Sequence, residues 1–467
     1  MSLSYDLVIV GMGSGGMVAA EFASNLDIKV AAVERDRVGG DCLWTGCVPS
    51  KALLASAKAA HTMRHADKYG LTPVEPEIDT ARVFDRIRSI QQRLADTDDN
   101  AERFSDVGVD VHFGAARLTG PNSLEVDGVG ELKARFILLC TGSRPAVPPV
   151  AGLEEAGFLT SETVWDIERA PESLVVIGGG PISIEMSQAF ARLGVRTTVL
   201  QKGDRILPRD EPDLVDRLTE RLRADGVDLV LDVDTESVSV QDGMKVVRAA
   251  GGQEWRGHEL LVGAGRRPNV EGLGLEEIGV ATGPRGVEVD GRLRTSVKSI
   301  YAAGDLAGRF LFTHSAGYEA AGAIRNMFFP GSSEATDFVP WCTYTDPELA
   351  HAGLTAAEAA DKHGPDDVHV WTHDLSHSDR ARADSAEDGE IRVVTHKGRM
   401  VGAHALTPNA GEVIHELALA ISEGKKLSDL GGLVHVYPTL SVGIGQLAGE
   451  AAYERAGKLG FLVRSKA

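Results

Sequence analysis

Residues 5–34 read YDLVIVGMGSGGMVAAEFASNLDIKVAAVE. Tyr5 to Val10 is an apolar run of buried-strand character that passes straight into Gly11-x-Gly13-x-x-Gly16. A helical stretch follows, and a second apolar run ends in Glu34, 18 residues past the last glycine. Strand, glycine turn, helix and acid-terminated strand together make the full fingerprint of a dinucleotide-binding βαβ unit. Gly11 permits the tight turn, Gly13 lets the backbone approach a pyrophosphate, and Gly16 lets the helix pack closely on the strand. Glu34 can accept a hydrogen bond from a ribose 2′-hydroxyl and would repel a 2′-phosphate, so this site suits FAD or NAD.

Five residues further on comes GGDCLWTGCVPSK, residues 39–51, with Cys42 and Cys47 five apart and Pro49 and Lys51 just behind. Two cysteines at this spacing can close a small disulfide where a loop enters a helix. The helix N-terminus and a nearby cation stabilise a thiolate there. Beside a nucleotide-binding unit, such a pair reads as a redox centre rather than an architectural staple. The other two cysteines, Cys140 in ILLCTG and Cys342 in WCTYTDP, lie in apolar strand-like runs and read as inert core residues.

A second unit, LVVIGGGPISIEMSQAFARLGVRTTVLQ, occupies residues 174–201. Its glycines are Gly178 and Gly180, and Ser183 stands where the third would be. The second strand ends at Gln201 instead of an acid, with Lys202, Arg205 and Arg209 close behind. Loss of the carboxylate and gain of cations suit a 2′-phosphate, hence NADPH over NADH. Two dinucleotide sites and a cysteine pair imply an electron path from nicotinamide to flavin to disulfide.

At 467 residues the chain exceeds what one core holds, and its length predicts about three domains. Composition is that of a globular protein, 43% hydrophobic and 25% charged, with 53 glycines. A formal charge of −20 argues against nucleic acid or anionic membrane surfaces as partners, since phosphate contacts need clustered Lys and Arg. No charged-then-apolar leader precedes the first strand, and no apolar run approaches the ~18 residues of a membrane span. The expectation is a cytoplasmic protein, and four cysteines in such a chain imply a reducing compartment.

With these residues in view, the chain resembles the flavin-dependent pyridine nucleotide–disulfide oxidoreductases, the family of dihydrolipoamide dehydrogenase, glutathione reductase and mercuric reductase. Further motifs carry the resemblance along nearly the whole chain. ILLCTGSRP (137–145), with Gly142, resembles the link out of the flavin domain, and VGAGRRPN (262–269), with Gly265, resembles the link back. SIYAAGD (299–305) is similar to the second flavin motif, whose acid, Asp305, would hold the ribityl chain. TYTDPELAHAG (343–353) and MVGAHALTPNAGEVIHELALAI (400–421) resemble the dimerisation domain.

The resemblance implies an α/β protein with two Rossmann-like dinucleotide-binding domains and a C-terminal α+β dimerisation domain. Its limits would be a flavin domain at 1–145 and 271–339, a nicotinamide domain at 146–270 and an interface domain at 340–467. It also implies a homodimer with FAD bound, Cys47 as the charge-transfer thiolate against the flavin and Cys42 as the thiol that meets the acceptor. Lys51 would stand near the flavin N5, paired with Glu185.

Departures from the family pattern bear on the substrate. Disulfide-reducing members carry a motif like HPTLSE, whose histidine works across the dimer as acid–base and whose glutamate orients it. Here the stretch is Tyr437-Pro438-Thr439-Leu440-Ser441-Val442, so both members of that dyad are replaced. A positioned acid–base contributes 10²–10⁴-fold, about 3–5 kcal/mol. Tyrosine, with a reference pKa near 10, is ionised about one part in a thousand at pH 7. Efficient turnover of lipoamide or glutathione disulfide is therefore disfavoured. His435, two residues upstream, would share a face with Tyr437 in an extended segment, about 7 Å away, and reads as structural.

Tyrosine at this place brings the chain nearest to mercuric-reductase-like members, since a soft metal ion accepts thiolates and electrons without a proton relay. Those members also use a C-terminal cysteine pair, whereas the tail here reads KLGFLVRSKA, and no N-terminal metal-binding domain is expected. Another departure is FLFTHSAGYEA (310–320), polar at Thr313 and His314, where a helix is expected to open beneath the flavin; His314 either tunes that site or caps the helix. In DVHVWTHDLSHSD (367–379), His369, His373 and His377 recur every four residues. The alternation of Val368, Val370 and Thr372 with them reads as a strand, which would scatter the imidazoles over ~26 Å, so no metal site is assigned.

The resulting expectation is an FAD-dependent NAD(P)H oxidoreductase that passes electrons through the Cys42–Cys47 pair to a quinone or a thiophilic metal ion. In a homodimer, Tyr437 would face the partner subunit's Cys42. Alternatives are a mercuric reductase, a dihydrolipoamide dehydrogenase-type disulfide reductase, or, of a different class, a redox-responsive regulatory flavoprotein.

Overall fold

The structure, a computed structural model, describes residues 3–331 and 333–458; the tail read above for its lack of cysteines lies almost wholly outside the described residues. Two compact units are present. Met1–Leu53, Asp79–Ala170 and Glu259–Asp337 form one, and Leu54–Ile78, Pro171–His258 and Phe338–Ala467 the other.

The first unit is built on a seven-stranded sheet. Strand Leu3–Val10 lies at its middle, parallel to Val30–Glu34 on one side and to Gly130–Leu139 on the other. Val109–Phe113 extends it beyond Val30–Glu34. The long Gly130–Leu139 strand is shared at its free edge. Ser123–Val126 runs antiparallel along its first half and Ile300–Ala302 parallel along its second. Alternate residues of the first strand feed two cores, Leu7 and Ile9 into one and Tyr5, Val8 and Val10 into the other. A parallel strand covered on both faces needs such an unbroken apolar run.

Helices Ser14–Ser24 and Thr313–Phe328 pack on this sheet through small side chains, Gly15, Ala19 and Ala23 facing Ala316, Ala320 and Ala323. The glycine at position 16 is compulsory, because a Cβ there would overlap the carbonyl oxygen of Gly11.

In the second unit, strands Ser173–Ile177, Arg196–Leu200 and Val227–Val230 pair in parallel, with helix Pro181–Arg192 following the first. The C-terminal part is an antiparallel sheet in the order 341–343, 348–353, 399–407, 390–396, 368–374. Helices Ala410–Ser422 and Val442–Lys458 complete it, the first burying Ala410, Val413, Ile414 and Leu417 at helical spacing. His369 and His373 lie on strand Val368–Asp374, as the alternation predicts. His377 falls beyond it on a 3₁₀ turn, where the Asp374 carboxylate accepts from the Ser376 N–H and ends the strand. Among the described residues, no helix is long and apolar enough to cross a membrane and no cluster of three or more His, Cys, Asp or Glu could hold a metal ion.

The interior of this unit holds a charge network. Arg192 and Asp225 are almost wholly buried, joined at 2.8 Å, and Arg192 also reaches the Asp346 carboxylate at 2.7 Å. Lys58 adds a second cation to Asp346 at 3.1 Å. Burial works against ionisation of Asp346, yet Arg192 and Lys58 hold its pKa down to about 2. Gln188 donates to Asp225 and exchanges hydrogen bonds with the Asp346 backbone. Helix Pro181–Arg192 is thereby fixed to the 344–346 turn. Removing one partner of a buried pair strands the other, at about 3–5 kcal/mol. Arg192→Met is therefore expected to destabilise this unit by that amount, read as a lowered urea midpoint; an unchanged midpoint would show the network to be energetically idle.

Candidate active site

Gly11 adopts φ +98°, and a Cβ there would lie 2.5 Å from the Cys140 carbonyl oxygen, so only glycine makes this turn. Gly13 caps helix Ser14–Ser24 with no side-chain hydrogen bond and no acid in the first turn. The helix N-terminus is thus left to an anion. Glu34 curls over the loop, one carboxylate oxygen accepting the Met12 N–H at 2.7 Å and the other the Asp36 N–H at 2.8 Å. The loop meets the start of the cysteine segment backbone to backbone: a Cβ on Gly40 would come 2.7 Å from the Gly13 Cα.

Asp305 lies on a 3₁₀ turn, Gly304–Ala307. Burial raises its pKa, opposed by the Ser143 hydroxyl, which donates at 2.5 Å, and by the guanidinium of Arg266. Ser143 and Arg266 sit on the antiparallel pair Ser143–Pro145 and Arg266–Pro268, flanked by Gly142 (φ +69°) and Gly265 (φ +120°). Arg266 also binds the Asp41 carboxylate at 3.0 Å. One guanidinium therefore joins the residue before Cys42 to the buried acid. An uncapped helix N-terminus, a glycine cradle, an acid at the second strand's end and a buried acid at Asp305 are the groups that FAD requires, and they fit it.

Cys42 lies on the short helix Gly40–Trp44, and Cys47 opens helix Cys47–Arg64. Both are free thiols. They titrate as a pair with opposite displacement. The Cys47 pKa is lowered, first by the hydrogen bond from Cys42 and then by Thr313 and the charge of Lys51, one turn along the same helix, against burial. The Cys42 pKa is raised by the same bond and by burial. The Thr313 hydroxyl stands 3.2 Å from the Cys47 sulfur. Of the two, Cys47 is the more acidic thiol and Cys42 the less acidic. Thr313 is the first residue of its helix, and His314 does not cap it; the His314 ring stacks on Phe312, the cap residue, at 5.4 Å.

The second glycine loop repeats the first with one substitution. Gly178 takes φ +111°, and Gly180 caps helix Pro181–Arg192, again with no side-chain bond and no acid in the first turn. Gln201 stands where Glu34 stands in the first unit: its amide oxygen accepts the Gly179 N–H at 2.9 Å, while its NH₂ donates to the Arg205 carbonyl at 3.0 Å. The loop is held in the same way without the negative charge. Of the cations that follow, Lys202 pairs with Asp234 at 2.9 Å on the surface, Arg205 lies 3.7 Å from Asp204, and Arg209 stacks over Trp341 at 4.6 Å. Arg209 is thereby drawn into packing with the C-terminal sheet, which a sequence pattern does not reveal.

Glu185 is buried on the same helix and accepts the Tyr344 N–H at 2.9 Å. Tyr437 is 66% exposed and donates to Asp379 at 2.7 Å. That carboxylate raises the phenol's pKa further. Residues 434–436 carry no regular structure and 437–441 form bends and turns, so no strand aligns His435 with Tyr437 as the extended reading expected. The His435 ring instead turns inward. Its Nε2 lies 3.1 and 3.2 Å from the two oxygens of Glu416, and its Nδ1 edge packs over Gly445, where a Cβ would come within 2.7 Å. Of the other cysteines, Cys140 is buried in the first unit's core, while Cys342 is only half-buried, its thiol 3.8 Å from Glu348. Arg266 and Ser143 were not singled out by the sequence reading, although both lie inside the linking motifs.

The pattern described as pyridine nucleotide-disulphide oxidoreductase matches residues 5–320, and that of the same family's dimerisation domain matches residues 339–448. The chain belongs to this family, whose members are FAD-dependent and use NAD(P)H. It is 36% identical to a dihydrolipoyl dehydrogenase of Thermus scotoductus, covering 97% of this chain and 98% of that one. A mercuric reductase of Streptomyces lividans is 33% identical, covering 94% of each. Among solved structures, the HOCl-induced flavoprotein disulfide reductase RclA from Escherichia coli matches 95% of this chain and 99% of its own with a TM-score of 0.86 at 26% identity. The dimerisation domain supports a homodimer.

Because Thr313 donates to the Cys47 thiolate, Thr313→Val is expected to raise the pH at which Cys47 becomes reactive. In the native protein Cys47 ionises below the ordinary thiol range, and it is protonated as pH falls, so iodoacetamide should label Cys47 of the reduced protein at lower pH in the native chain than in the variant. Coincident profiles would remove Thr313 from the thiolate's support.

Proposed function

We propose that this chain acts as a homodimeric, FAD-dependent NADPH oxidoreductase that passes electrons through Cys42 and Cys47 to a small acceptor needing no proton relay, a quinone or a thiophilic metal ion. FAD, when bound, supplies the two-electron link between nicotinamide and disulfide. Its holders would be the Gly11–Gly16 loop, Glu34 and Asp305. The nicotinamide cofactor would lie on the Gly178–Gly180 loop, where neutral Gln201 tolerates a 2′-phosphate and Lys202 and Arg205 offer it charge. Cys47, stabilised as thiolate by Cys42, Thr313 and Lys51, is the sulfur on the flavin side. Cys42 keeps its proton and meets the acceptor. Lys51 would stand near the flavin, and Glu185 would serve the same site.

The observation that carries the choice of acceptor is the fate of residue 437. Its phenol is spent donating to Asp379, and the carboxylate makes it a still weaker acid. His435 is held by Glu416 within its own subunit. No imidazole is offered to a leaving thiolate from this segment, and a disulfide substrate requires that proton. A thiophilic cation requires only sulfur ligands. Similarity to a mercuric reductase, and to RclA in a structure described as its Cu(II) complex, supports the metal branch.

The test is a turnover screen with NADPH and NADH against a quinone, Hg(II), Cu(II), lipoamide and glutathione disulfide. Quinone or metal turnover is expected to exceed disulfide turnover by about 10²-fold or more. A chain that reduces lipoamide as fast as quinone overturns the proposal. Restoring the dyad, Tyr437→His with Val442→Glu, is expected to raise disulfide turnover about 10²-fold. Gln201→Glu is expected to cut the NADPH/NADH ratio of kcat/KM at least tenfold, and a native tenfold preference for NADH would refute the NADPH assignment.

A further inference from the structure

The segment between the two cysteines is too short to hold its own shape. Helix Gly40–Trp44 has five residues, and a helix of that length is not stable alone. Nor does its first turn help, since Gly39 and Gly40 both take positive φ. Yet every carbonyl oxygen between Cys42 and Cys47 has a donor. Gln91, from helix Thr80–Thr97, donates its NH₂ to Leu43 O at 3.1 Å and to Trp44 O at 2.8 Å. The Trp165 indole N–H is shared between Thr45 O and Ser161 O, both at 2.8 Å. The last carbonyl, Gly46 O, accepts from the Ser50 hydroxyl at 2.7 Å within the following helix. Gln91 is 6% exposed and Trp165 7%, so both donors are delivered from the interior. At the front of the segment, Asp41 is tied to Arg266 at 3.0 Å and accepts from the Thr45 hydroxyl at 2.5 Å.

We propose that Gln91 and Trp165 are positioning residues for the cysteine pair: by tethering the carbonyls of residues 43–45 they hold the two sulfurs where the disulfide closes, and so set its redox equilibrium. The proposal rests on Cys42 and Cys47 being the redox pair. Without the tethers the dithiol segment would gain conformational freedom that the disulfide, closed on itself, does not. Loosening the segment therefore favours the dithiol and makes the pair easier to reduce. It also separates Cys42 from the Cys47 thiolate that it supports, so the pH of Cys47 ionisation rises. Neither effect follows from a role confined to satisfying buried carbonyls.

The experiment equilibrates the purified, flavin-bound protein with mixtures of reduced and oxidised dithiothreitol. The Cys42–Cys47 bond breaks as the reagent's ring closes, two electrons and two protons passing from reagent to protein. Alkylation and mass measurement of the peptide holding both cysteines reads the dithiol fraction. Gln91→Met removes two donors at similar volume, and Trp165→Phe removes the indole N–H while keeping a ring. Each is expected to shift the exchange constant three- to tenfold toward dithiol, and tenfold corresponds to about 30 mV. Each should also raise the pH midpoint of Cys47 labelling with flavin content unchanged; a lowered thermal midpoint is expected from the unsatisfied carbonyls alone and does not count for the tether. If the native protein forms the disulfide but both variants titrate within twofold of it, the tethering role is refuted and the redox reading stands. If the native peptide never oxidises, both fall together. Should Gln91→Met lose flavin, Trp165→Phe alone decides: a shift supports the tether and its absence overturns it.

Discussion

Two glycines in contact, Gly13 and Gly40, set where the cysteine segment meets the first glycine loop. Their backbones approach so closely that a Cβ on Gly40 would lie 2.7 Å from the Gly13 Cα. The first belongs to the loop that leaves a helix N-terminus open to an anion, and the second begins the segment that carries Cys42 and Cys47. A side chain at Gly40 would push the cysteine segment away from the nucleotide loop. Ser14, the next residue of that loop, hydrogen-bonds Cys42, so the contact is chemical as well as steric. Gly11 and Gly16 serve the same end one layer deeper, letting strand, turn and helix close on one another.

Around that contact the charges are arranged to keep one sulfur ionised and the other not. Lys51 and the Thr313 hydroxyl favour the Cys47 thiolate, while the neighbouring carboxylate, Asp41, opposes it. Asp41 is in turn held by Arg266, which also stands 3.5 Å from Asp305. Two acids that would repel each other thus share one cation, and the strands leaving and re-entering this unit are joined to the same hub. Compared with it, the second glycine loop is a neutral copy. Gln201 repeats the backbone contact of Glu34 but brings an amide in place of a charge, which changes what may lie beside it without changing how the loop is held.

The acceptor side shows the opposite economy. Where disulfide-reducing relatives would present an imidazole and a carboxylate, this chain presents a phenol bound to Asp379 and an imidazole turned into the fold against Glu416. Leu433, Val434 and Val436 are all exposed within the dimerisation domain.

Much of this architecture was legible in local patterns. The two βαβ units, the cysteine segment and the strand nature of Val368–Asp374 follow from spacing and periodicity, because each depends on a few consecutive residues obeying backbone geometry; the helix opening at Thr313 comes from the family resemblance. What local patterns could not show is which side chains meet across long separations. Gln91 and Trp165 reach the carbonyls of the cysteine segment from 47 and 120 residues away. Arg209 is drawn to Trp341, and His435 to Glu416 rather than into line with Tyr437. Residue type and order thus specify the elements, the cofactor loops and the missing acid–base dyad. Packing alone chose the hydrogen-bond partners, because a polar side chain in a folded interior takes whichever unpaired group the tertiary structure brings within about 3 Å.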